Sequence, residues 1–406
     1  MYEFGKGVAQ SYEKAIEWYS KAAVQGDARA QNRLGLCYEF GKGVERSHEK
    51  AVEWSSKAAE QGDADAQTCL ANMYEFGKGV AQSYEKAIEW YSKAAVQGDA
   101  RAQNRLGLCY EYGQGVEQSH EKAVDWYSKA AERGNAVGQC NLADMYEFGK
   151  GVAQSYEKAI EWYSKAAVQG NARAQTSLGY AYTSGQGVEQ NHNKAVEWYQ
   201  KAAEQGNATA QTNLAYAYNS GQGVEQNHKK AVEWYQKAAE QGNARAQTSL
   251  GHAYTSGQGT SKDDKKAVEW FQKAAAQGEP YALSNLSYMF SGGRGVIKSY
   301  TKAYAYMLVA KVAADQDSSL YKSIEKEEAR LQQLLSLAQQ TEAQEDAALM
   351  WKRITEPDAP SVAEANPTDR AQPEATVQNP VETPETPPSQ PESPKKRSMK
   401  GTFSAN

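Results

Sequence analysis

Residues 27–62 read DARAQNRLGLCYEFGKGVERSHEKAVEWSSKAAEQG, and the chain repeats this stretch through most of its length. Its tryptophan belongs to a series with a fixed period of 36 residues: Trp18, Trp54, Trp90, Trp126, Trp162, Trp198, Trp234 and Trp270. Tyr306 takes the ninth position, where the pattern decays. Self-similarity at this period marks a stack of supersecondary units, each too small to bury its apolar face alone.

Each unit reads as two helices joined by a glycine loop. In the quoted unit helix A is predicted over residues 28–40 and helix B over 48–60. Helix B follows Ser11, Ser47, Ser83, Ser119, Ser155, Asn191, Asn227, Asp263 and Ser299, all able to accept a hydrogen bond from an orphan first-turn N–H. Helix A follows Asp27, Asp63, Asp99, Asn135, Asn171, Asn207 and Asn243, then Glu279 ahead of the first-turn Pro280. Gly26 and Gly62 stop helix B, and loops such as Gly41-Lys42-Gly43 turn the chain back. Ala15, Trp18, Tyr19 and Ala22 fall at i, i+3, i+4, i+7, as do Ala30, Leu34, Cys37 and Tyr38. The tryptophans, opposite alanines at helical spacing, read as core rather than as an aromatic binding stripe.

The pattern A-x-x-x-L-G-x-x-Y-x-x-G-x-G-V stands here as Ala30 to Val44, and K-A-x-x-W-Y-x-K-A-A-x-x-G as Lys50 to Gly62, with Ser55 at the tyrosine position. These motifs resemble the Sel-1-like repeat over residues 1 to about 313. Tetratricopeptide repeats, the nearest alternative, have a shorter turn and usually a proline at the repeat boundary. The resemblance implies a right-handed α/α superhelix that serves as an adaptor or scaffold, with helix A lining its concave surface. The expected fold is thus an all-α solenoid over 1–313 (nine units, the first incomplete), capping helices over 314–355, and a disordered Pro-rich tail over 356–406. That tail holds ten of the eleven prolines.

An apolar content of 40 % and a mean hydropathy of −0.79 suit an elongated stack without a central core. A net charge of −5 over 406 residues argues against nucleic acid as an obligate partner. No apolar run reaches the length of a membrane span. Residues 1–39 recur identically as 73–111, so the chain starts inside a repeat, and a longer native N-terminus is expected. Localisation therefore stays open, and a secreted host-interaction factor with an upstream signal peptide is one alternative function.

Candidate chemistry is sparse, and no cofactor or metal is expected. Ser11-Tyr12-Glu13-Lys14 matches the S-x-x-K of penicillin-interacting serine hydrolases, a second alternative. The serine stands where a cap is needed, however, and the lysine persists where the cap is Asn191 or Asp263. A cysteine-rich branch of the family has been associated with penicillin binding or hydrolysis, but its paired cysteines do not appear. Cys37, Cys69, Cys109 and Cys140 show no C-x-x-C spacing; buried free thiols are expected, with a Cys37–Cys69 bridge as the alternative. His48, His120, His192 and His228 read as solvated helix starts, too far apart for one metal. The glycine loops follow helices rather than strands and form no Walker-type motif. The P-x-x-P matches between Pro384 and Pro394, and Lys395-Lys396-Arg397, read as parts of a solvated linker.

Positions that vary between units are free to bind. One such set lies on a single face of helix A at i, i+4, i+7, i+11. It contains Arg29, Arg33 and Leu36; Arg101, Arg105 and Leu108; Asn141; Arg173 and Tyr180; Asn213 and Tyr216; Arg245 and His252; and Tyr288. Asn to a peptide backbone, Arg to carboxylates and Tyr for rigid contact area suit an extended partner polypeptide. Phe40 and Phe76, at the loop end of this face, have packing beneath the loops as their alternative. The expected function is a non-catalytic protein-interaction scaffold.

Overall fold

The computed structural model describes residues 2–357, apart from 6 and 8; the tail expected over 356–406 lies outside the described residues from 358 onward. Among the described residues it contains nineteen α-helices and no strand. Helices A and B alternate from Tyr12–Val24 (B) and Ala28–Phe40 (A) to Pro280–Gly292 (A) and Tyr300–Ala313 (B). Ser319–Gln333 and Leu337–Thr355 follow. The chain divides into two compact units: Met1–Ala217 with Gly221–Glu225, and Tyr218–Ser220 with Gln226–Asn406.

The predicted caps form. Ser47 Oγ accepts from the Lys50 N–H, Asp63 Oδ1 from the Ala66 N–H and Glu279 from the Ala282 N–H. Each is worth about 1 kcal/mol. Helix A ends on a left-handed glycine, as at Gly41 with φ 65°. The second loop glycine has a different task. A Cβ on Gly79 would lie 2.4 Å from the His48 backbone, and one on Gly151 would lie 2.4 Å from that of His120. Each loop therefore rests on the start of the preceding helix B. This corrects the reading of the helix-start histidines as solvated: His48 and His120 are half-buried beneath the next loop.

The tryptophans also need correction, because the deepest rings are the tyrosines one residue on. Tyr91, Tyr127 and Phe271 are the bulkiest fully buried side chains. Tyr127 lies flat against Gly107, where a Cβ would sit 2.4 Å from its ring. Trp90 instead lays one face on Ala58, Ala59, Ala66 and Leu70, in the helices just before it, and carries the Lys93 ammonium 3.8 Å above its ring. Trp162 and Lys165 repeat this at 3.8 Å. Trp18, with no earlier helix pair beside it among the described residues, is 60 % exposed. The indole thus seals the joint between units.

A glutamine ladder ties neighbouring units together. Gln67 Nε2 donates to the Ala59 carbonyl at 3.1 Å, and Gln97 Nε2 donates to Gln67 Oε1 at 2.8 Å. Gln175 repeats the pattern with Ala167 and Gln205. The ladder breaks once: Arg133 replaces the outer glutamine and Gln103 Oε1 is left buried without a partner. In the second unit, one continuous core runs from Ala267 through Met307 to Ile324 and Trp351, joining the last repeats to the two final helices. All four cysteines are free thiols. Burial raises Cys69 and Cys109 to about 12, which keeps them protonated and unreactive.

Candidate functional site: the outer face of helix A

Helix A turns its Ala, Gln and Leu positions inward, as at Ala102, Gln103 and Leu106, and the variable positions fall on the opposite side. Arg29, Arg33, Arg101, Arg173, Tyr180, Tyr216, Arg245, His252 and Tyr288 are exposed; Leu36, Arg105, Leu108 and Asn213 are half-buried. Asn141 is buried. Its amide donates to Asn104 Oδ1 at 2.8 Å, and its own oxygen accepts from Arg173, so it joins helices rather than offering itself to a ligand.

Aromatic side chains form the most continuous feature of this face. Within the first unit Phe40, Phe76, Tyr112 and Phe148 stand at the loop end of successive helices A, and Tyr180 and Tyr216 stand one turn earlier. Phe40 is 60 % exposed, Tyr112 63 % and Phe148 62 %, so Phe40 and Phe76 do not lie beneath the loops. A lysine ammonium flanks several of them, 5.7 Å from the Phe40 ring and 5.8 Å from the Phe148 ring. In the second unit Tyr281 and Tyr288 are exposed, and His252 Nε2 meets the Asn285 amide at 3.1 Å. The ring of His252 packs edge-on against Phe271, with centroids 5.3 Å apart, and this partial desolvation lowers its pKa and favours its neutral form.

Between this face and the core runs a carboxylate row that the sequence analysis missed. Glu75 accepts from the buried Tyr91 hydroxyl at 2.5 Å, Glu111 from Tyr127 at 2.7 Å, and Glu147 from Tyr163 at 2.5 Å; Glu3 pairs with Tyr19. Burial, reinforced by these carboxylates, raises the pKa of each tyrosine, Tyr19 to about 12. Guanidinium groups of the variable face reach the same carboxylates: Arg105 to Glu75 at 3.4 Å and Arg33 to Glu3 at 3.8 Å. Arg173 bonds Asp144 at 3.0 Å, and Arg101 bonds Asp99 at 2.7 Å as well as Asp65. Burial raises Asp144 despite Arg173. These arginines are therefore neutralised from within, and the face is more aromatic and less cationic than the sequence suggested. The available signal was the joint recurrence of a glutamate and a tyrosine 16 residues later in four of the first five units, broken only at Glu39, where Ser55 takes the tyrosine position.

In the S-x-x-K tetrads the serine hydroxyl and the lysine ammonium turn to different partners. Ser83 Oγ caps its helix through the Lys86 N–H and donates to Glu85 at 2.9 Å, while the Lys86 ammonium lies 5.2 Å from the Tyr74 ring centroid. No group of three or more potential metal ligands exists among the described residues.

A stack of capped helix pairs with an aromatic outer face defines an α-solenoid repeat protein. A profile of the Sel1 repeat matches nine consecutive segments, from residues 1–27 and 28–63 to 244–279 and 280–310; the chain belongs to the Sel1 repeat family. Among solved structures, it is similar to c5321, a protective antigen of uropathogenic Escherichia coli strains displaying an SLR fold. The two are 34 % identical over 93 % of this chain and 87 % of that one, with a TM-score of 0.54. It is also similar to a Sel1 repeat protein from Oxalobacter formigenes, at 32 % identity over 62 % of this chain and 98 % of that one, TM-score 0.56. No curated protein matches. Sel1 repeat proteins generally act as protein-interaction scaffolds. No helix among the described residues is long and apolar enough to cross a membrane.

Proposed function

We propose that the chain is a non-catalytic scaffold that holds a partner polypeptide along the concave surface formed by its helices A. The observation that carries this reading is the row Phe40, Phe76, Tyr112, Phe148, Tyr180 and Tyr216, six exposed aromatics on successive helices of one unit. Exposed apolar rows of this kind mark interaction surfaces, and rigid aromatic rings dominate binding energy at such surfaces. Arginines already paired with carboxylates favour a polypeptide over nucleic acid, which would need free cationic charge. Leu36, Leu108, Asn213 and Arg29 extend the contact in the first unit; Arg245, His252 and Tyr288 offer a second contact region.

The test compares capture of polypeptides from native lysate by the full chain and by a variant carrying Tyr112→Ala, Tyr180→Ala and Tyr216→Ala. The variant must first show unchanged helicity and melting. A partner held by the wild type and lost by the variant supports the reading; equal capture moves binding off this face. Nitrocefin turnover above background would contradict the non-catalytic part. A second reading, a host-facing factor, draws on the likeness to a protective antigen. Cell-surface labelling tests it, and protein found only inside cells would count against it.

A further inference from the structure

The repeats are near-copies, so each shows what another lacks. In the units containing Glu75, Glu111 and Glu147 a carboxylate accepts from the tyrosine 16 residues on. In the next unit that glutamate is Thr183, while the tyrosine persists as Tyr199. A cavity of about 210 Å³ lies beside Tyr180, Thr183, Tyr199, Asn213 and Tyr216. That is room for several water-sized groups, at about 30 Å³ each.

The tyrosine of the lost pair remains, and its hydroxyl is now shared between Thr183 and Asn213 in place of a carboxylate. Tyr199 is buried, and its hydroxyl lies 3.3 Å from Thr183 Oγ1, longer than a normal O–H···O bond. Thr183 cannot replace the carboxylate, because its hydroxyl is turned back on its own helix, donating to the Gly179 carbonyl at 2.8 Å. Asn213 holds the register position from which Arg33 and Arg105 reach Glu3 and Glu75, and it lines the cavity. Glu147 shows that a carboxylate is seated beside a tyrosine hydroxyl with Ser177 at that position. The cavity opens beside the exposed Tyr180 and Tyr216.

We propose that this cavity is a specificity pocket for an acidic side chain of the bound polypeptide, which takes the place that Glu75, Glu111 and Glu147 fill in their own units. The assignment rests on the polypeptide-binding reading above and gives it a chemical requirement: a glutamate or aspartate set at one position along the groove. A glutamine side chain fits the space but brings neither the charge nor the second strong acceptor that the tyrosine and amide donors match.

Thr183→Glu closes the pocket with the chain's own residue at a register position where five other units already carry glutamate, so the variant keeps its fold. Methyl NMR of the full chain, observing Thr183, Ala195 and Val196, would be followed during titration with N-acetyl-glutamate methylamide and with the glutamine analogue. The expected result is a saturable shift with the glutamate probe, at least tenfold tighter than with the glutamine probe, and abolished for Ala195 and Val196 in Thr183→Glu. Equal response to both probes, or an undiminished response in Thr183→Glu, overturns the proposal. A partner lost by the triple-tyrosine variant but held undiminished by Thr183→Glu also overturns it and leaves the groove reading standing. A probe response with no polypeptide captured at all overturns the polypeptide as source and points to a free carboxylic acid.

Discussion

Gln103 and Arg133 show how much one residue matters in a ladder. The buried Gln103 Oε1 has no donor because Arg133 stands where other units place glutamine. Arg133→Gln should supply the bond and stabilise the protein by about 1 kcal/mol, seen as a higher urea midpoint at constant slope. Gln175→Ala does the reverse, removing its bonds to the Ala167 carbonyl and to Gln205 while each keeps a second partner, at a cost of about 1–3 kcal/mol for the two bonds. The caps carry a pH signature. Glu85 accepts from its own backbone N–H and from Ser83, which holds its carboxyl below the usual glutamate range; Glu13, Glu49, Glu121 and Glu157 behave alike. A depressed folded value stabilises above the unfolded pKa and is lost as pH falls through the folded one. The melting-temperature difference between wild type and Glu85→Gln should therefore be largest near neutral pH and vanish on acidification below the usual range. Asp144 and Glu279, raised by burial, work in the opposite sense in both proteins and cancel from that difference.

At the scale of the element, glycines of similar backbone geometry have unequal tasks. Gly170 has φ 91° and open space around its Cβ position, so Gly170→Ala should cost only the left-handed penalty of about 1–2 kcal/mol. Gly151, at φ 68°, would drive a Cβ against the His120 backbone, so Gly151→Ala should cost a further 1–3 kcal/mol or so for overpacking. Thermal melts of the two variants separate these effects, and equal losses would contradict the loop-on-helix contact. Helix boundaries, caps and loop reversals were legible in the sequence because each rests on local signals repeated many times. The division of labour between Trp90 and Tyr91 was not. Both occupy apolar helical positions, and only packing of the tyrosine against a small residue on helix A decides which ring goes inside. The aromatic row was legible as a variable face. Its glutamate–tyrosine underlayer was hidden because charged residues near a helix end look solvated in one dimension.

Across the molecule, the two units build their interiors differently. In the first, buried residues form separate clusters, such as Ala23, Ala30 and Leu34, or Ala58, Ala59, Ala66 and Leu70. In the second, one cluster unites Ala267 through Trp351. Native-state hydrogen exchange should accordingly find the slowest amides within Tyr304–Ala310, and Trp351→Ala should accelerate that whole segment together. The interaction surface we propose is the exposed face of helix A, where Phe40, Phe76, Tyr112, Phe148, Tyr180 and Tyr216 stand in succession. The most direct test of that claim is side-chain carbene footprinting of the full chain with and without a polypeptide selected for binding to it. Protection concentrated on these six aromatics is the predicted result. Protection of the Trp90–Lys93 and Trp162–Lys165 face of helix B, with the aromatic row still labelled, would contradict it.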